Sequence, residues 1–371
     1  MMKRFFPIIL ISLIACQNKN IDKALKSVSN DDLAKDISTI SADNMLGRAP
    51  FTIGEERAVA YLEKRMAELG LEPVFENSYI QNVPMVSIVS KVPEVINLSI
   101  SNKPFELKAD DDYCAWSPTT SPSIKINKAD LIFAGFGVNA PEYDWNDFNG
   151  IDVKGKIIVV LVNDPGFYTG DTALFKGNTM TYYGRWRYKF EEAERQGAIG
   201  CLIVHEDAPA GYPWDVAGSK NNTPQLYLDT PDLENKQCLV NGWITHNAAI
   251  NLFKSCELDY EVSKRQATQR GFQSFSMNAK LSMNIENSYT KSVSKNVAGI
   301  IKGSEKPEEV IVYSAHWDHL GVGRVVNGDS IYNGASDNAA AIAWMFSIAK
   351  AFKSTGVAPK RSVLFFSPTA E

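Results

Sequence analysis

With 371 residues, 44% of them hydrophobic and 22% charged, the chain is long enough for two globular domains with cores of their own, which excludes a disordered polymer. A formal net charge of -5 without a long basic run excludes nucleic-acid binding by phosphate neutralisation.

The N-terminus reads as a targeting segment. Lys3 and Arg4 precede an apolar run from Phe5 to Ala15, shorter than the roughly 20 residues a spanning helix needs. Residues 1–15 are expected to be a signal peptide and 16–28 a polar tether. Leu13-Ile14-Ala15-Cys16 resembles the bacterial lipobox. That resemblance implies cleavage before Cys16, acyl chains on Cys16, and a mature chain held at a membrane surface outside the cytoplasm without a spanning helix. An ordinary signal peptide with a chance cysteine is the plainer alternative. Of the other cysteines, Cys238 and Cys256 are the candidate local disulfide pair, and buried free thiols are the alternative for all four.

Helices and strands then alternate. A short helix is expected from Asp31 to about Ile40, a loop over 41–54 that contains Gly47 and Arg48, and a second helix after Thr52. There Thr52 and Glu55 are spaced as a capping box, Val59, Leu62, Met66 and Leu69 recur at three and four, and Gly70 marks the end. After Lys108 the acidic Asp110-Asp111-Asp112 and the Ser/Thr/Pro-rich stretch from Ser117 to Ser123 suggest a boundary, because such stretches resist burial. Beyond it, Asp130–Gly137 and Lys156–Val162 read as buried strands, Tyr188–Gln196 as a charged helix and Ile199–Val204 as another buried strand.

Residues 153–160 and the Ala193, Gly197, Ala198, Gly200 turn make this middle unit similar to the protease-associated domain, a small β-rich insert found in several peptidase families. The alternative is that these elements simply extend one large α/β domain. The expected division is a peptidase domain over 29–120 and 281–371 with an insert at 121–280.

Near the C-terminus, Asn296–Lys302, Glu309–Ser314 and Arg361–Phe366 are apolar strands. Between the last two lies a helix at 339–353 with a single polar stripe of Ser347, Lys350 and Lys353. The expected fold class is therefore α/β, with a mostly parallel mixed sheet, helices on both faces and an inserted β-rich module. Such sheets bind ligands beyond the carboxyl ends of their strands. His316 and Asp318 follow one strand, Asp337 opens the loop into the helix, and Glu371 follows the next strand. Imidazole and carboxylate donors suit Zn2+. Taken singly, each has a plain reading: a polar strand end, a helix cap at Asp337, a solvated Glu371.

Three segments appear in order: Ser314-Ala315-His316-Trp317-Asp318-His319-Leu320-Gly321, Gly334-Ala335-Ser336-Asp337-Asn338 and Thr369-Ala370-Glu371. Together they make residues 296–371 resemble the catalytic domain of the M28 family of zinc peptidases. With the N-terminal helices and the middle unit, the resemblance covers nearly all of the mature chain. It implies two Zn2+ ions per site, with His316 binding one and Asp337 bridging both. Asp318 would orient the His316 ring, and Glu371 would act as general base. His319 is not expected to be a ligand. The family's remaining ligands would come after residue 371, so the chain is expected to be a fragment that binds metal weakly, with a sheet edge left exposed. The function implied is a metallo-exopeptidase, an aminopeptidase acting on peptide substrates. A carboxypeptidase of the same family and a noncatalytic surface lipoprotein that binds peptides stay open. Oligomeric state is unreadable.

Overall fold

The computed structural model describes residues 20–371, so the expected signal peptide and Cys16 lie outside the described residues. Residues 20–27, expected within the tether, form a helix. The chain divides into two compact units, Met1–Met85 with Ser292–Glu371, and Val86–Lys291. No described helix is long and apolar enough to cross a membrane.

The second unit begins earlier and ends later than the expected insert at 121–280. Strands Val95–Ile100, Lys103–Lys108 and Tyr113–Trp116 all pair inside it, the first against Ala279–Ser282 and the last against Asn241–Ile244. Part of the stretch expected to resist burial is drawn in with them, while Asp110, Asp111 and Ser121 to Ser123 stay exposed. Ser117 and Thr119 are buried, and the Ser117 amide donates to Ser90 Oγ at 2.9 Å. The unit is built on four parallel strands, in the order Ser123–Phe133, Ile157–Leu161, Gly200–His205 and Val240–Thr245. Every residue of Ile157–Leu161 is buried, because alternate side chains feed two separate cores. Ile157, Val159 and Leu161 enter one with Phe133 and Phe253, while Ile158 and Val160 enter the other with Trp243 and Phe190. This split also separates the two cysteines: Cys238 lies in the second core and Cys256 against the first, and both are free thiols, as are Cys114 and Cys201. The unit is thus a layered α/β body rather than a merely β-rich one.

In the other unit, helix Asn30–Ile40 is capped by Ser29 and helix Ile53–Glu68 by Thr52, whose Oγ1 accepts the Gly54 amide at 3.1 Å. Glu55 completes the cap one residue further back than a standard box, accepting the Phe51 amide at 2.7 Å. Gly70 ends the helix in the left-handed region. Strand Arg361–Ser367 lies between its neighbours, antiparallel to Val297–Ile301 and parallel to Lys306–Ser314. The exposed edge expected beside Arg361–Phe366 therefore falls one strand over. Lys306–Ser314 pairs only with 361–367 among the described residues, and its Val310, Ile311 and Val312 are exposed. Helix Ala340–Ser354 follows an irregular turn, Ala335–Ala339, and packs Ile342, Met345, Phe346 and Ala349 against Val363, Phe365, Leu62 and Met66. Its polar stripe is not as expected: Ser347 is buried, whereas Trp344 is 54% exposed.

Candidate active site

Trp317 fixes the position of the site. Its indole is fully buried in the core, with Nε1 donating to the Lys295 carbonyl at 2.8 Å, and its amide donates to Pro368 O at 3.2 Å. Side chains alternate along extended backbone, so anchoring Trp317 inward sends its neighbours His316 and Asp318 the other way. The strand ahead of Glu371 is tied to the same place. Ser367 Oγ donates to Ala315 O at 2.6 Å, the Ser294 and Thr369 hydroxyls meet at 2.7 Å, and the Thr369 amide donates to Asn296 Oδ1 at 3.0 Å.

His316 Nε2 lies 3.1 Å from Asp337 Oδ1. On the other side of the ring, Nδ1 meets the main-chain carbonyl of Asp318 at 3.1 Å, and the Asp318 carboxylate stands 3.7 Å away, an ion-pair distance rather than a hydrogen bond. That carboxylate raises the His316 pKa above the ordinary histidine value against the opposing effect of burial. Burial lowers the pKa of His319. The Glu371 amide reaches Asp318 Oδ1 at 3.5 Å, so the last residue adjoins the same cluster. Asp337 follows Gly334, which has φ +63, and its side chain is 67% exposed. The four residues expected from the sequence, His316, Asp318, Asp337 and Glu371, are thus gathered in one place.

The donor chemistry of His316 and Asp337 suits a divalent cation, but the number of donors does not suffice. Among the described residues no group of three or more His, Cys, Asp or Glu side chains is placed to hold a metal ion. A stable zinc site takes at least three protein donors.

Residues 296–371 match the family model for peptidase family M28. Over this segment the chain is similar to peptidase family M28. Similar solved structures include an aminopeptidase from Aneurinibacillus sp. strain AM-1, at 17% identity and a TM-score of 0.44, with 94% of this chain and 65% of that one covered. An M28 peptidase precursor from Shewanella amazonensis SB2B matches at 16% identity and a TM-score of 0.44, covering 95% and 67%. BSAP, a zinc aminopeptidase from Bacillus subtilis, matches at 18% identity and a TM-score of 0.38, covering 92% and 62%. The chain therefore spans about two thirds of the length of these proteins.

Arg48 escaped the sequence reading, which placed it in a loop without a role. It is fully buried beneath the site, and three turn residues carry positive φ in a row: Leu46, Gly47 and Arg48. The only hint in the sequence is a cation directly after a glycine, between two helices.

Proposed function

We propose that the protein is a zinc-dependent exopeptidase, an aminopeptidase that removes N-terminal residues from peptides. The observation that carries this reading is the 3.1 Å approach of His316 Nε2 to Asp337 Oδ1, at strand ends that also bring Glu371 alongside Asp318. In this reading His316 and Asp337 contribute to a cation site that needs further donors, and Asp318 keeps the His316 ring oriented. A zinc ion held by His316 and Asp337 together with further donors would supply Lewis acidity at the peptide carbonyl. Glu371 accepts the proton of the attacking water and delivers it to the departing amine.

The same proposal places the protein outside the cytoplasm, lipid-anchored through Cys16, with the unit Val86–Lys291 as a protease-associated module. The buried strand Ile157–Leu161 and the turn into Gly200–His205 support the module. Intact-mass measurement of the mature N-terminus tests the anchor, and an unmodified Cys16 rejects it.

To test the activity, the product of the entire reading frame is assayed on aminoacyl and carboxyl-terminal peptide substrates, with and without chelator. Chelator-sensitive release of N-terminal residues is expected, with Glu371→Gln slower by about 10²- to 10⁴-fold. Undiminished activity of Glu371→Gln removes that residue from its role. Release from the carboxyl end favours a carboxypeptidase, and no turnover by zinc-loaded protein favours a peptide-binding lipoprotein.

A further inference from the structure

We infer that Arg48 is a positioning residue that locks the two metal-binding loops into register. The inference rests on the proposed peptidase reading of the site. Arg48 Nε donates to the Trp317 carbonyl at 2.7 Å. Nη1 donates to Ile40 O at 2.8 Å and to Asn333 O at 2.6 Å, and Nη2 donates to Gly334 O at 3.1 Å. One guanidinium thus joins the end of helix Asn30–Ile40, the residue between His316 and Asp318, and the pair Asn333 and Gly334 three to four residues ahead of Asp337.

The main chain closes the arrangement from the other direction, as Arg48 O accepts the His319 amide at 3.3 Å. Asn333 adds a second tie, its Nδ2 donating to Ser41 O and to Asp43 Oδ1, each at 2.9 Å. A planar fork of donors in fixed geometry can hold several carbonyls at set separations, which a flexible ammonium cannot do as well.

A guanidinium taken from water into a fully buried place is costly unless its charge is met. Here burial pulls the Arg48 pKa down, and Asp318 and Asp337 oppose that pull. The charge that compensates Arg48 therefore comes from the site itself.

The test compares amide hydrogen exchange in wild type, Arg48→Met and Arg48→Lys, on metal-free 371-residue protein. In Arg48→Met, peptides covering 317–319 and 333–339 are expected to exchange about tenfold faster or more, with 53–68 and 361–367 unchanged. Arg48→Lys is expected to restore part of the protection. Uniform acceleration across this unit, or none anywhere, overturns the inference. Should Arg48→Met fail to fold, Arg48→Lys carries the test with the same outcomes.

In the product of the entire frame, kcat should fall in both variants while KM changes little; a rise in KM alone overturns the positioning role. If the wild type hydrolyses no peptide, the peptidase reading fails while the exchange pattern still decides whether Arg48 locks the loops.

Discussion

Among the described residues, each unit buries one cation among main-chain carbonyls, and the two differ in what lies beside it. In Val86–Lys291, Lys189 donates to Asn163 O at 2.8 Å and Tyr183 O at 2.7 Å. The carboxylates near it are fully engaged. Asp147 accepts the amides of Phe136 and Val138 and the Trp145 indole N–H, while Asp164 accepts from Gly166 and twice from Thr181. Beside Arg48, by contrast, Asp337 is open to solvent and meets His316 alone among the hydrogen-bonding and ion-pair contacts described. A closed network of buried charge holds a fold together. One that leaves an acidic member, Asp337, open at the surface is arranged to receive something.

Removing the closed network's cation should have the largest effect. Lys189→Met leaves two carbonyls and two buried carboxylates uncompensated, and should cost about 3 to 5 kcal/mol in urea unfolding of this unit. A loss below about 1 kcal/mol would mean the network is slack.

Next comes pH. Burial pushes the Asp147 carboxyl from 3.8 up to about 7, against its three N–H donors and Lys189. The fold therefore holds this proton more tightly than the unfolded chain does. That contribution is complete below 3.8 and is lost as pH rises towards about 7. Burial also depresses Lys189 from 10.5 to about 8, so its contribution is lost as pH falls from 10.5 to about 8, a separate window. Asp147→Asn should flatten the decline in thermal midpoint between pH 4 and 7; an unchanged slope assigns that decline elsewhere.

On the open side, Asp337→Asn should abolish peptide hydrolysis yet change the unfolding free energy by no more than about 0.5 kcal/mol. A large destabilisation would make Asp337 structural and erase the contrast. Smallest of all is Trp344→Ser, expected to lie within about 0.5 kcal/mol because the indole is half exposed. A loss of several kcal/mol would restore the fully buried helix expected from sequence.

What the sequence made legible was local. Apolar runs marked Ile157–Leu161 and Arg361–Ser367, spacing marked the face of Ile53–Glu68, and the motif around His316 marked a strand end. Relations across the chain were not legible. Arg48 meets carbonyls 269, 285 and 286 positions away, and a contact with backbone leaves no trace in the identity of its partner. Thr119 was misjudged because a polar residue whose hydroxyl accepts a hydrogen bond can be buried, and Ser117 because its main chain is tied down by the bond from its amide to Ser90 Oγ. The Cys238–Cys256 pairing failed because nearness in sequence does not show which side of a sheet a residue faces.

The turn ahead of Arg48 also constrains how this site can change over generations. A β-carbon on Gly47 would come within 2.7 Å of Tyr332 O, and one on Gly334 within 2.6 Å of His319 Cδ2 and 2.5 Å of Arg48 Nη2. Both glycines sit at positive φ, at +62 and +63, so most replacements are opposed by conformation as well as by space. Substitutions at these positions cannot be sampled one at a time without disturbing the loops of His319 and Asp337. Their descendants should keep both glycines or replace the whole arrangement together.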